Sequence, residues 1–377
     1  MKRFKTGNLA KAVAFFLIVT VLTCVVAFAA GDWQNQSDKP DSGKVEDNLN
    51  DNGNSAENSD GSTNGDEGTP ENIPTDKPLP EYLHYITGLE ASMEDYYSLP
   101  LCFLMEASGP IYGIGASYLT LEIPTDFGST RMLCFMDKSA LPGKIGSVAP
   151  TRAYISDIAG YFGGILFSCG SDDKFEYGHG VGADASIDFS VSTGYNYTEF
   201  NAYSYTNSDL VSAALKNTET GTLREGVYPL PYRLCEYGER ASGLKSTAKT
   251  VAISYRDGNT TELYYSAENG KYQLYKNGSE VRDLISNKSV FYDNAFVLYA
   301  TATTYEAECG AETVLDMTEG GRGIYCTEGK SVDIRWTIDQ NGEIIFTDEG
   351  GEILTVNRGS SYVSFVKASI GDGVSVS

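Results

Sequence analysis

Apolar residues along this chain fall into three regimes. The first is an unbroken run from Ala12 to Ala30, AVAFFLIVTVLTCVVAFAA, 19 residues without a charge. The second, residues 31–80, holds only Trp33, Val45, Leu49, Ala56, Ile73 and Leu79 among polar and acidic neighbours. From residue 81 onward the apolar positions become dense and patterned. LCFLMEA (101–107), SYLTLEI (117–123) and TRMLCFMD (130–137) are short continuous apolar runs, which predict strands buried on both faces. Ala153–Phe162 has helical spacing, with Ile155, Ile158, Ala159 and Phe162 on one side and Gly163-Gly164 as a stop. GILFSC (164–169) reads as the strand returning after that helix, a βαβ-type unit. DLVSAALKN (209–217) predicts a second short helix.

Beyond about Thr250 the period changes to two. TVAISYRDGNTTELYYSAENGKYQLYKNG (250–278) alternates apolar and polar positions, interrupted by Asp257-Gly258, Asn269-Gly270 and Asn277-Gly278. Such dipeptides mark hairpins, because type I′ turns need positive φ. SVDIRWTI (331–338), EIIFTD (343–348) and SYVSFVKA (361–368) continue the pattern. The expected fold is α+β: an N-terminal mixed α/β part over 81–249, then an antiparallel β-rich C-terminal domain over 250–368, with 369–377 as a tail.

The ends of the chain differ in charge. Residues 1–30 carry Lys2, Arg3, Lys5 and Lys11 and no acid, which makes the run that follows a signal peptide or membrane anchor. Three fates are open. Cleavage can follow Ala27-Phe28-Ala29, the run can remain as an anchor with its basic flank inside, or Cys24 can carry a lipid. Each places the bulk of the chain outside the cytoplasm. Residues 31–80 contain 12 acids and 3 lysines and cannot bury enough apolar surface to offset chain entropy, so they predict a disordered acidic linker. Flexible-chain scaling gives such a linker a reach of roughly 40 Å. A tether of that kind suits a globule working at a distance from the membrane, in the cell envelope. With a net charge of −23, of which +4 falls in 1–30 and −9 in 31–80, the globular part is itself acidic. That argues against nucleic acid as a partner.

At this point the residues resemble a family, the YerB-like lipoproteins of bacteria, a two-part domain of unknown function. Ile86-Thr87-Gly88-Leu89 is similar to its opening T-G-L, and 130–158, TRMLCFMDKSALPGKIGSVAPTRAYISDI, to its central block. Tyr272–Gly278, Trp336, Asp339–Gly342 and Gly359–Val366 follow in the family's order. The likeness spans about 86–368. The departures bear on chemistry. Ala149 stands where the family's P-V-R-S-A-R-P block has its first Arg, Ala202 and Ser168 stand where it has His, and Glu106-Ala107 is what remains of D-N-H. The polar set that survives is Glu122, Arg131, Arg152 and Asp157.

The chemistry readable from residues alone is sparse. No G-x-S-x-G, C-x-x-C or EF-hand spacing occurs. With only two histidines, His84 and His179, no metal or cofactor is expected, although acidic oxygens keep bound calcium open as an alternative. Asp172, Asp173 and Glu176 follow a strand near His179 and are the candidates for a glycan-active hydrolase; they read equally as a solvated loop. Cys309 and Cys326 are a candidate disulfide across a hairpin. Tyr195, Tyr197, Phe200, Tyr203 and Tyr205 can stack on sugars or simply pair across strands. Arg131 and Arg152 can hold a carboxylate or phosphate bidentately; the plainer reading is a buried ion pair with Glu122 or Asp157. The expectation is an exported, membrane-tethered protein that binds a wall component or an envelope protein near these arginines and performs no catalysis.

Overall fold

A computed structural model describes residues 79–377, apart from 174–184, 192–193, 200–202, 219, 224–231, 308–309 and 341. Residues 1–78, and with them the apolar run and Cys24, lie outside the described residues, as do Cys309, Glu176 and His179. Among the described residues no helix is long and apolar enough to cross a membrane. All of them belong to one compact unit, Asn72–Ser377.

The elements follow the apolar pattern closely. The first half of this unit holds α1 (Met93–Tyr97), β1 (Leu101–Glu106), β2 (Leu119–Pro124), β3 (Thr130–Met136), β4 (Ile145–Val148), α2 (Ala153–Tyr161), β5 (Ile165–Ser168), β6 (Ala185–Asp188), β7 (Tyr197–Thr198), β8 (Ser204–Thr206) and α3 (Ser208–Asn217). The second holds β9 (Ser246–Thr247), β10 (Thr250–Arg256), β11 (Asn259–Ser266), β12 (Lys271–Lys276), β13 (Ser279–Glu280), β14 (Phe291–Tyr292), β15 (Asn294–Ala307), β16 (Gly310–Asp316), β17 (Gly321–Thr327), β18 (Lys330–Ile338), β19 (Ile344–Thr347), β20 (Ser361–Lys367) and β21 (Val374–Val376).

The protein is mostly β, in two sheets. A 15-stranded sheet runs β19-β18-β17-β15-β20-β2-β3-β1-β4-β8-β7, with β16 on β15, β5 on β1, β6 on β5 and β9 on β18. The two halves of the sequence therefore share one sheet, joined where β20 lies parallel to β2, Leu121 beside Val363. The smaller sheet runs β13-β12-β11-β10-β21, with β14 on β12.

Burial explains why the first strands are continuously apolar. Leu101, Phe103 and Met105 of β1 point into one core, Cys102 and Leu104 into the other. The first core is closed by the small sheet, through Val251, Ile253, Leu263, Tyr272 and Leu274. The second is closed by α2, through Tyr154, Ile155, Ile158 and Ala159. α2 ends at Gly163 (φ 64°), and a Cβ on Gly164 would collide with Cys102 Sγ, so the chain can re-enter the sheet only on glycine. α3 starts one residue before the expected span, because Asn207 Oδ1 accepts the Leu210 N–H at 2.9 Å. The Asn277-Gly278 turn has the two positive φ angles, 52° and 71°, that the dipeptide predicts.

Two features differ from expectation. β15 is 14 residues long, and its far half pairs with β16 as a hairpin. Residues 374–376, read as tail, form β21 on β10, with Val376 opposite Val251.

Candidate functional site

Arg131 sits on β3 and Arg152 immediately precedes α2, so the strand and the helix bring the two arginines together. The acids they meet are neither Glu122 nor Asp157. Asp172, in the loop after β5, takes both. Its Oδ1 accepts from Arg131 Nη1 at 3.0 Å and Arg152 Nε at 2.9 Å, and its Oδ2 from Arg131 Nη2 at 2.5 Å. Asp126, in the turn Asp126–Gly128 between β2 and β3, takes the other edge of Arg152: Nη1 donates to Oδ1 at 3.0 Å and Nη2 to Oδ2 at 2.9 Å. The Thr313 N–H of β16 adds a bond to Asp126 Oδ1 at 2.7 Å. Two guanidinium groups and two carboxylates thus form a charge-balanced chain, with Arg131 7% and Arg152 3% exposed.

The cluster floors a cleft of about 350 Å³. One wall comes from β1, β3 and the 126–128 turn, the other from the β10–β11 hairpin and Asn277. Hairpin and turn are tied together: Arg256 Nη1 donates to the Phe127 carbonyl at 3.1 Å and Asn259 Nδ2 to the Gly128 carbonyl at 2.7 Å. Phe127 is held at φ 52°, in the left-handed region that a bulky residue rarely adopts, with its ring 73% exposed at the mouth. Glu106 lines the same cleft and is half-buried, with no side-chain hydrogen bond or ion pair among the described residues.

Glu122 lies beneath this floor and is fully buried. Its Oε1 accepts from Thr130 Oγ1 at 2.8 Å and Lys276 Nζ at 2.6 Å, and its Oε2 from Thr261 Oγ1 and Tyr362 Oη at 2.7 Å each. Every lone-pair direction is engaged, so Glu122 serves as a bolt between the two sheets. Asp157 is half-buried on α2 and is not among the residues lining the cleft.

Electrostatics follow from these contacts. Burial by itself would raise the Asp172 carboxyl, but the hydrogen bonds from Arg131 and Arg152 outweigh it and hold the group below its usual range. The same holds for Glu122, where burial is overcome by the Lys276 ammonium and the three hydroxyl donors. Burial works against the Arg152 charge, yet the bonds to Asp126 and Asp172 raise its affinity for the proton. A carboxylate kept ionised in this way is a poor general acid. Asp173 is also engaged: it accepts the Ala153 N–H at 3.0 Å at the start of α2 and the Ser171 hydroxyl at 2.7 Å.

Other singled-out residues have local roles. Tyr112 and Tyr205 hold the Lys144 ammonium between their rings, 4.0 and 4.2 Å from the centroids, and Lys144 also pairs with Glu199 at 2.5 Å. Of the tyrosine-rich stretch, Tyr205 is thus committed to a cation of the chain itself, and the Tyr195 hydroxyl accepts from Asn217 Nδ2 at 2.9 Å. Of the candidate disulfide, Cys326 is a buried free thiol and Cys309 lies outside the described residues. Among the described residues no group of three His, Cys, Asp or Glu side chains converges as metal ligands.

Asp126, Lys276 and Asn259 were not singled out in the sequence. Asp126 is in Thr-Asp-Phe-Gly, which signals only a turn between strands, and Lys276 and Asn259 flank hairpin dipeptides.

Comparison with known proteins bears on both halves. Residues 87–218 match the N-terminal domain, and 251–363 the C-terminal domain, of a protein of unknown function, DUF3048. The crystal structure of the YerB protein from Bacillus subtilis is similar at 20% identity and a TM-score of 0.66, covering 78% of this chain and 99% of that one. No curated protein matches. With both model domains matched in order along the shared sheet, the chain belongs to the DUF3048 family, the YerB-like two-part domain of unknown function.

Proposed function

We propose that this protein is an exported, membrane-tethered module of the bacterial envelope that binds a wall component or a protein partner in the cleft above Arg131 and Arg152, without catalysis. Residues 1–30 act as signal or anchor and 31–80 as the tether. On this reading 81–249 is a mixed α/β part and 250–368 a β-rich one, and the cleft lies where they meet. The carrying observation is the charge-balanced chain Arg131–Asp172–Arg152–Asp126 at the floor of that cleft. Its carboxylates are spent on arginine, which favours a rigid recognition surface over acid–base work.

The test is co-sedimentation of residues 72–377, the compact unit, with purified cell-wall sacculi. Pelleting that soluble wall fragments compete away supports the wall-binding reading. No pelleting together with a specific cross-linked neighbour in cells moves the reading to a protein partner. Release of soluble products from the sacculi overturns the non-catalytic part.

A further inference from the structure

A second cavity, of about 420 Å³, opens on the large sheet over β15, β17 and β18, apart from the cleft described above. The register of β17 and β18 sets Arg322 directly opposite Arg335, and both are exposed. Like charges facing each other across a sheet are destabilising. Among the described residues neither arginine forms an ion pair. Arg322 is held in place from below, with its Cζ 3.8 Å from the centroid of the buried Tyr299 ring. A guanidinium stacked on an aromatic face keeps its N–H edge free for a planar anion.

The same cavity holds two acids, Asp333 and Glu349. Asp333 is two residues from Arg335 along β18, on the same face, which at strand rise is about 7 Å away. Neither acid forms an ion pair with the arginines beside it. The cavity therefore carries two arginines and two acids that are not in ion-pair contact with one another.

We propose that this cavity binds a small zwitterion of dipeptide length, its carboxylate between Arg322 and Arg335 and its ammonium group against Asp333 and Glu349. An extended chain covers at most about 3.3–3.6 Å per residue, so two residues match the backbone spacing of Asp333 and Arg335 along β18 and one does not. The site is independent of the binding reading given above.

The probe is diglycine, titrated into residues 72–377 by calorimetry or by shifts of backbone amide resonances. Glycine, N-acetyl-diglycine, acetate and inorganic phosphate serve as comparators. The expected result is saturable binding of diglycine, with glycine and N-acetyl-diglycine at least tenfold weaker. Arg335→Ala and Asp333→Asn each weaken diglycine at least tenfold. Because both side chains are exposed, circular dichroism stays as in the parent and the thermal midpoint does not fall. The proposal is overturned if diglycine does not saturate, or if both variants bind it as the parent does. It is also overturned if N-acetyl-diglycine, acetate or phosphate binds as well as diglycine, which leaves an anion patch only.

Discussion

Glu106 and Arg131 face each other across β1 and β3, yet they do not pair. Arg131 turns its guanidinium to Asp172, and Glu106 is left in the cleft without a partner among the described residues. The two substitutions should therefore differ sharply. Glu106→Gln removes a charge that no contact among the described residues uses, so its stability should stay within about 0.5 kcal/mol of the parent. Arg131→Ala strips Asp172 of one of its two guanidinium partners and should cost about 1–3 kcal/mol. Urea unfolding of residues 72–377 measures both. Equal losses in the two variants would mean that Glu106 is engaged after all.

Arg152 carries more than Arg131, because it alone joins Asp126 to Asp172. Removing it takes from Asp126, 9% exposed, the guanidinium that chelates both its oxygens, while the Thr313 N–H bond remains. Arg152→Ala should cost about 3–5 kcal/mol, as for other buried pairs that lose one member. Arg152→Lys should recover only part, because an ammonium is a point charge and cannot chelate two carboxylates along two edges. Recovery to parental stability in the lysine variant would show that charge alone matters here and geometry does not.

The arginine site shows how far the sequence reaches. The strands were legible because a sheet buried on both faces needs unbroken apolar runs, and 101–106 and 130–136 supply them. The hairpins were legible because Asn-Gly and Asp-Gly solve a local backbone problem. The shared sheet was not. It depends on β2 lying beside β20, more than 200 residues away, a pairing with no local mark in either strand. The site divides in the same way. Arg131 and Arg152 stood out as arginines on apolar elements, which must find acids. Which acids was set by tertiary placement: Asp126 by a turn, Asp172 by a loop, and Lys276, not an arginine, for Glu122.

Acid sensitivity should follow from two carboxylates. Asp172 and Glu122 both titrate lower in the folded protein than when free. A group depressed in this way contributes stability that is present above its unfolded pKa, near 4, and is lost as pH falls through the lower folded value. The unfolding midpoint should thus be level from about pH 7 to 5 and fall steadily below that. Glu122→Gln should be less stable at neutral pH and show a shallower acid limb, with the difference from the parent shrinking as pH drops. Parallel curves for the two proteins would show that Glu122 does not titrate with folding. Lys276→Met, which leaves the fully buried Glu122 without its cation, should be destabilised by about 3–5 kcal/mol at pH 7.

Thiol reactivity offers a check on the packing of the two cores. Cys102 faces one core from β1 and Cys134 the other from β3, and Cys326 is buried in β17. Burial disfavours the thiolate at all three, raising Cys134 to about 12 and the other two as well. Since the thiolate is the nucleophile, these residues should resist alkylation in native buffer on a timescale of hours. Cys169 is only half-buried and should react first among the described cysteines. Peptide mapping after timed iodoacetamide treatment reads the order directly. In denaturant all should label together. If Cys102 or Cys134 labelled as fast as Cys169 in native buffer, the continuous sheet would have to open at its centre. That would contradict the double-faced burial from which the strand assignments follow.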